Sequence, residues 1–150
     1  MNTLIVNETF SFVKWLYSRF LPGNYSDFQL EQSVAMKNTS ILVGRRAHLE
    51  DKELEILALS SLLYNTGCIE GQYEKRAVSM TIAKSFLKEK NLPPTEISKV
   101  LSCIRATERG KKASNKLEEL MKFVQDTSNS SVRVKAKSRF RSAELPDVFP

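Results

Sequence analysis

The stretch Glu50–Gly71, EDKELEILALSSLLYNTGCIEG, decides the fold. Leu54, Ile56, Leu57, Ala58, Leu59, Leu62 and Leu63 occupy nearly every direction around a helix. The segment from Glu50 to about Tyr64 therefore reads as the central helix, buried on all sides. The apolar run then stops at a polar dipeptide, Tyr64-Asn65, and a Gly turn follows. Chemistry is often done where a buried helix ends in a polar pair, so the question is whether this pair does any.

Working outward, Asn7 reads as the N-cap of a first helix through about Phe20, with Phe10, Val13, Leu16, Tyr17 and Phe20 near one face. Leu21-Pro22-Gly23 ends it, because Pro cannot continue the hydrogen-bond ladder and Gly turns the chain. Ser26, with Gln29 three residues on, reads as a capping box opening a second helix toward Arg46. After the loop beyond Tyr64, a fourth helix spans about Tyr73 to Lys90, with Val78, Ile82, Ala83, Phe86 and Leu87 inward. Pro93-Pro94-Thr95 stops it and starts a fifth, in which Ile97, Val100, Leu101 and Ile104 follow helical spacing. Ser114 opens a sixth with Leu117, Leu120, Met121 and Val124 in the same rhythm. The expected fold is all-α: a compact helical bundle over residues 1–127 with an extended basic tail over 128–150.

The chain has 150 residues, 41% of them hydrophobic, enough for a real core. A chain of this size buries about 68–70% of its unfolded surface. No apolar run is long enough to span a membrane, and MNTLIVNETF lacks both the basic start and the small-residue cleavage site of a signal peptide. Cys68 and Cys103 cannot form a disulfide framework, so a reducing cytoplasm is expected.

The net charge of +6 is uneven: residues before 128 carry 18 of the 23 basic and 15 of the 17 acidic side chains. Arg133, Lys135, Lys137, Arg139 and Arg141 crowd the tail. Val132 and Val134 alternate with basic residues there, as a short edge strand would, while a solvated tail is the plainer expectation. The tail could contact nucleic acid through phosphates, although it carries no base-reading motif. Its apolar end, Leu145 to Pro150, could instead order against another protein or a second copy.

Several segments share an order and spacing. Leu21-Pro22 heads the second helix, and Thr66-Gly67 follows the polar pair. Ser79, Ile82-Ala83 and Phe86-Leu87 space the fourth helix, and Cys103-Ile104-Arg105-Ala106-Thr107 and Leu117-Glu118-Glu119-Leu120 come after it. From Leu21 to Gln125 this pattern resembles a bacterial branch of the HD superfamily of metal-dependent phosphohydrolases, an all-α fold. The resemblance implies that a His-Asp pair should stand at Tyr64-Asn65, early histidines at Phe28 and Gln32, and a His-Glu pair at Lys75-Arg76. Acidic residues should stand at Phe123 and Gln125. A shift of two residues in the fourth helix would put Tyr73-Glu74 in place of Lys75-Arg76 and still supply no histidine.

A divalent ion in such a site needs several imidazoles and a carboxylate. Phe offers no lone pair, amides carry no charge, and Lys and Arg repel the ion. Without it nothing polarises a phosphoryl oxygen or lowers the pKa of attacking water. Tyr64-Asn65 therefore reads as the remnant of a catalytic site, with no metal and no cofactor expected.

Three other features invite a role. His48, the only histidine, lies near Glu50, Asp51 and Glu53, but one imidazole among exposed carboxylates is more often a loop residue. Cys68 lies near Arg76 in sequence, yet a small buried hydrophobe is the better reading. Arg109, Lys111 and Lys112 form a short basic loop of the kind usually left solvated. Lys75 and Arg76 would put two cations at the mouth of the former pocket, where an anion could bind, unless they pair locally or face water. The expected function is a catalytically inactive domain acting as a protein-interaction or regulatory module, with a protein partner or with itself as a homodimer. The alternative is a binder of a phosphorylated small molecule or nucleotide at the degenerate pocket.

Overall fold

In a computed structural model of the chain, the described residues are 1–71 and 75–139, with side chains as far as Ser128. Among these residues six helices form: α1 (Thr3–Phe20), α2 (Gly23–Arg46), α3 (Asp51–Leu63), α4 (Lys75–Glu89), α5 (Pro94–Ala106) and α6 (Lys116–Arg139). A 3₁₀ turn covers Thr66–Glu70, between α3 and α4. No strand forms among the described residues, and the fold is all-α. Val132 and Val134 lie within α6, so their alternation does not make an edge strand.

The central helix is where its composition puts it. α3 packs against α1, α2, α4, α5 and α6, and Leu57, Ala58, Leu59, Leu62 and Leu63 have no exposed surface. Its start is a capping box: the Glu50 side chain accepts from the backbone N–H of Glu53, and the Glu53 carboxylate accepts from the N–H of Glu50 at 3.1 Å. Gly44 lets α2 approach α3 closely, because a Cβ there would stand 2.5 Å from Leu54 Cδ2.

Two helix starts and one burial differ from the sequence reading. α1 starts four residues before the expected cap at Asn7. Asn2 caps it instead, its side chain accepting from the N–H groups of Leu4 at 3.1 Å and Ile5 at 3.4 Å. α2 begins at Gly23, and Ser26 donates its N–H to Pro22 O at 2.7 Å. Ser26 and Gln29 are thus inside the helix and buried rather than a capping box. Phe20, expected on the inner face, is the last residue of α1 and is 54% exposed.

His48 takes a left-handed backbone, φ 59°, and closes α2: its N–H reaches Arg45 O, and that of Leu49 reaches Gly44 O, each at 3.0 Å. This is the usual geometry of a helix C-terminus. In α4, Ala83, Phe86 and Leu87 are buried as expected, while Val78 and Ile82 are only half-buried. In α6, Met121 and Val124 are fully buried, and Leu117 and Leu120 pack against the core. Among the described residues no helix is long and apolar enough to cross a membrane.

Candidate functional site

The end of α3 meets α2, the start of α4 and the 3₁₀ turn at a buried polar cluster. The turn can sit there only because residue 67 is Gly. A Cβ on Gly67 would lie 2.0 Å from the carbonyl oxygen of Lys75, and the Gly67 N–H donates to Ser79 Oγ at 2.8 Å. The close approach brings Arg76, in the first turn of α4, over the last residues of α3.

Arg76 is 6% exposed. Its Nη1 donates to Tyr64 O at 3.1 Å and to Asn65 Oδ1 at 3.4 Å, and its guanidinium lies 4.7 Å from the centre of the Tyr64 ring. Asn65 Nδ2 donates to Gln29 Oε1 at 2.7 Å, and Gln32 Nε2 donates to the Tyr64 hydroxyl at 3.1 Å. The cation orders this network. Guanidinium only donates, so Asn65 must turn its oxygen to Arg76 and its amide nitrogen to Gln29. Gln29 must then present its oxygen to Asn65 and aim its own NH₂ elsewhere.

Of the positions singled out in the sequence, Gln32, Tyr64, Asn65 and Arg76 come together here, and Phe28 is buried one residue before Gln29. Lys75 is half-buried at the edge of the cluster. Arg76 does not face water, and among the described residues it makes no ion pair with an acid: it is held by a carbonyl, an amide and a ring. Phe123 and Gln125 do not join. Phe123 is 57% exposed, and Gln125 Nε2 donates to Thr107 O at 3.2 Å, tying α6 to the end of α5. Tyr73 and Glu74 lie outside the described residues.

Gln29, Tyr17 and Tyr25 were not legible as members of the site. Gln29 is fully buried, and the signal for it was its spacing: Gln29 and Gln32 stand one turn apart on the face of α2 that meets the end of α3. Gln29 Nε2, Arg76 Nε and the hydroxyls of Tyr17 and Tyr25 are buried and make no well-formed hydrogen bond among the described residues, although Tyr25 lies beside Gln29 and Tyr17 beside Ser33 and Cys68. Each such group costs about 1–3 kcal/mol.

Burial also sets the protonation chemistry. It pushes Tyr64 up to about 12, against the pull of the nearby Arg76 charge, and Cys68 up to about 12, against that of Lys75. It raises Tyr17 and Tyr25 as well. Burial, reinforced by the Arg76 charge, lowers Lys75 to about 8. The cluster thus holds no thiolate and no phenolate at neutral pH. Cys68 behaves as the small buried hydrophobe expected of it, and Cys103, also buried, is likewise pushed up to about 12 by burial.

The remaining candidates stay apart. His48 serves the turn after α2, and Arg109, Lys111 and Lys112 lie exposed in the loop between α5 and α6. Among the described residues no three His, Cys, Asp or Glu side chains are grouped to hold a metal ion. No family model matches the chain, and comparison with curated proteins and with solved structures likewise returns no match.

Proposed function

We propose that this protein is a catalytically inactive domain of HD-superfamily type that works as a protein-interaction or regulatory module, contacting a partner protein or a second copy of itself. The observation that carries the interaction is a row of aromatic rings along the outside of α1. Phe12 stacks on Phe86 of α4 at 4.3 Å between ring centres and lies 6.3 Å from Trp15, and Trp15 meets the edge of Phe20 at 6.4 Å. Trp15 is 56% and Phe20 54% exposed. Contiguous exposed rings mark interaction surfaces, and Trp is among the residues that contribute most to binding.

The chemistry of the buried cluster supports the non-catalytic half of the reading. A metal-dependent hydrolase needs carboxylate and imidazole ligands around its ion. Here the guanidinium of Arg76 is held by the Asn65 amide, the Tyr64 carbonyl and the Tyr64 ring, and the nearby thiol and phenols are held protonated. No divalent-ion-dependent phosphatase or nucleotidase turnover is expected from the purified protein. Such turnover persisting through further purification, and lost in Asn65→Ala, would overturn this half.

The interaction half is tested on the aromatic row. Light scattering should give either a mass near twice 17.1 kDa that Trp15→Ser with Phe20→Ser returns to the monomer, or a monomer. In the monomer case a partner captured by the wild type should be lost with the double variant. Trp15 is the sole tryptophan, so its fluorescence should shift on either association. Association unchanged by the double variant would move the interface elsewhere. The second reading, a binder of a phosphorylated small molecule or nucleotide, is favoured by the proximity of Lys75 and Arg76 to several neutral donors at one buried place.

A further inference from the structure

We propose that α1 pairs antiparallel with α1 of a second copy of this chain, about a two-fold axis that sets Phe12 of one copy against Trp15 of the other and Glu8 against Arg19. The proposal rests on the interaction reading of the aromatic row and selects the second copy as its occupant.

Leu4, Glu8, Phe12, Trp15 and Arg19 follow one another at intervals of four, four, three and four residues, so they share one face of α1. The opposite face, with Ile5, Val6, Thr9, Val13, Leu16 and Tyr17, is buried. The outer face runs acid, ring, ring, base. Turned end for end about the point between Val13 and Lys14, a second α1 sets each Glu8 opposite an Arg19 and each Phe12 opposite a Trp15. A two-fold interface needs this self-complementarity, because every contact in it occurs twice. A parallel pairing would instead oppose Glu8 to Glu8 and Arg19 to Arg19, which like-charge repulsion disfavours. An unrelated partner would have to supply the same order from its own sequence, whereas a second copy supplies it by symmetry.

The rest of α1 fits the same arrangement. Of the five large hydrophobic side chains exposed among the described residues, three are on this helix: Leu4 at 66%, Trp15 at 56% and Phe20 at 54%. Antiparallel pairing brings Leu4 of one copy to the Phe20 end of the other, so all three lose water together. Phe12 is backed by Phe86, which leaves little ring motion to be lost on association. The end that receives Arg19 is acidic. Glu8 meets Lys90 at 2.8 Å through Oε2, and a carboxylate can accept from several donors. Beside it a groove of about 270 Å³ carries the carboxylates of Glu8, Glu55 and Glu96 against the ammonium groups of Lys52 and Lys90, a net negative charge. Arg19, exposed in the last turn of α1, is the cation that the axis carries to it.

Sedimentation equilibrium of the full chain over a concentration series reads the dimer constant. One helix stripe per copy is at the small end of specific interfaces, so a dimer in the micromolar range is expected. Glu8→Arg sets like cations across the axis and Arg19→Glu sets like anions, each in two places, and either alone should weaken the dimer at least about tenfold. An equal mixture of the two variants should recover a dimer, because every pair across the axis is again one cation with one anion. Should Glu8→Arg fail to fold without its bond to Lys90, Arg19→Glu alone must still weaken the dimer by that factor. Two weakened variants that do not rescue one another would overturn the proposal. A wild-type dimer that Trp15→Ser with Phe20→Ser breaks, but neither charge variant weakens, would overturn the antiparallel pairing and leave the aromatic row as the interface. A chain that stays monomeric to about 1 mM would overturn the second copy and leave a partner protein as the occupant of the row.

Discussion

Gly67 shows how much a single residue decides. Its backbone has an ordinary φ, so nothing about local conformation requires glycine; the carbonyl of Lys75 does, since it stands where a Cβ would be. Neither that oxygen nor the backbone carrying it can swing away as a flexible side-chain tip could. Gly67→Ala is therefore expected to cost at least about 2 kcal/mol, measured by urea denaturation, and to displace Arg76 from Tyr64. A loss below about 0.5 kcal/mol would show that the turn and α4 can separate freely. Arg76 was legible as a cation near a polar pair, but not as a buried one. Its position over the Tyr64 ring depends on how closely the turn packs on α4, and no spacing along the chain records that distance.

At the scale of the element, helix ends carry the clearest consequences. His48 could be read from the sequence as a ligand or as a loop residue, and its φ of 59° gives it the second role. A left-handed backbone is unfavourable by about 1–2 kcal/mol for a residue with a Cβ, and glycine avoids that strain. His48→Gly should therefore leave the fold intact and raise stability by up to about 1 kcal/mol in chemical denaturation. A large destabilisation would give the imidazole a role that the turn does not explain. The start of α3 at Glu50 and the stop at Pro93-Pro94 were readable because they are local: each is set within a turn of chain. Ser26 and Gln29 had the same local pattern, yet α2 had already begun at Gly23. Gln29 bonds across to Asn65 instead, a contact no local rule contains.

For the whole molecule the titrating groups near the cluster give a pH profile. Lys75 is lowered to about 8 from 10.5, so between those values the unfolded chain binds more protons and stability rises with pH. Cys68 is raised from 9.0 to about 12 and Tyr64 from 10.0 to about 12, so above pH 9 the folded chain binds more protons and stability falls. The wild type should gain stability from about pH 8 to 9 and lose it above. Lys75→Met should lack the gain and keep the loss. A Lys75→Met variant with the wild-type rise would place its cause elsewhere. The apolar stripe of α6 gives a second consequence. With Met121 and Val124 fully buried in one copy, that face supplies no drive to dimerise, and any self-association is expected to depend on Trp15 and Phe20.

By itself the sequence determined the all-α class, six helices and the central burial of α3. These follow from periodic apolar residues and from Gly and Pro at breaks, and both act within a few residues of chain. It also determined that the polar pair after Leu63 offers neither an imidazole nor a carboxylate, since that depends on residue type alone. Only the tertiary structure decided which polar groups meet. Gln29, Asn65 and Arg76 are separated by dozens of residues or by a turn, and they converge because α2, α3 and α4 pack around Gly67. It also decided that Phe20 and Trp15 stay outside while Tyr17 goes in. Helical spacing sorts residues into faces, but which face is covered depends on where neighbouring helices pack and where the core ends.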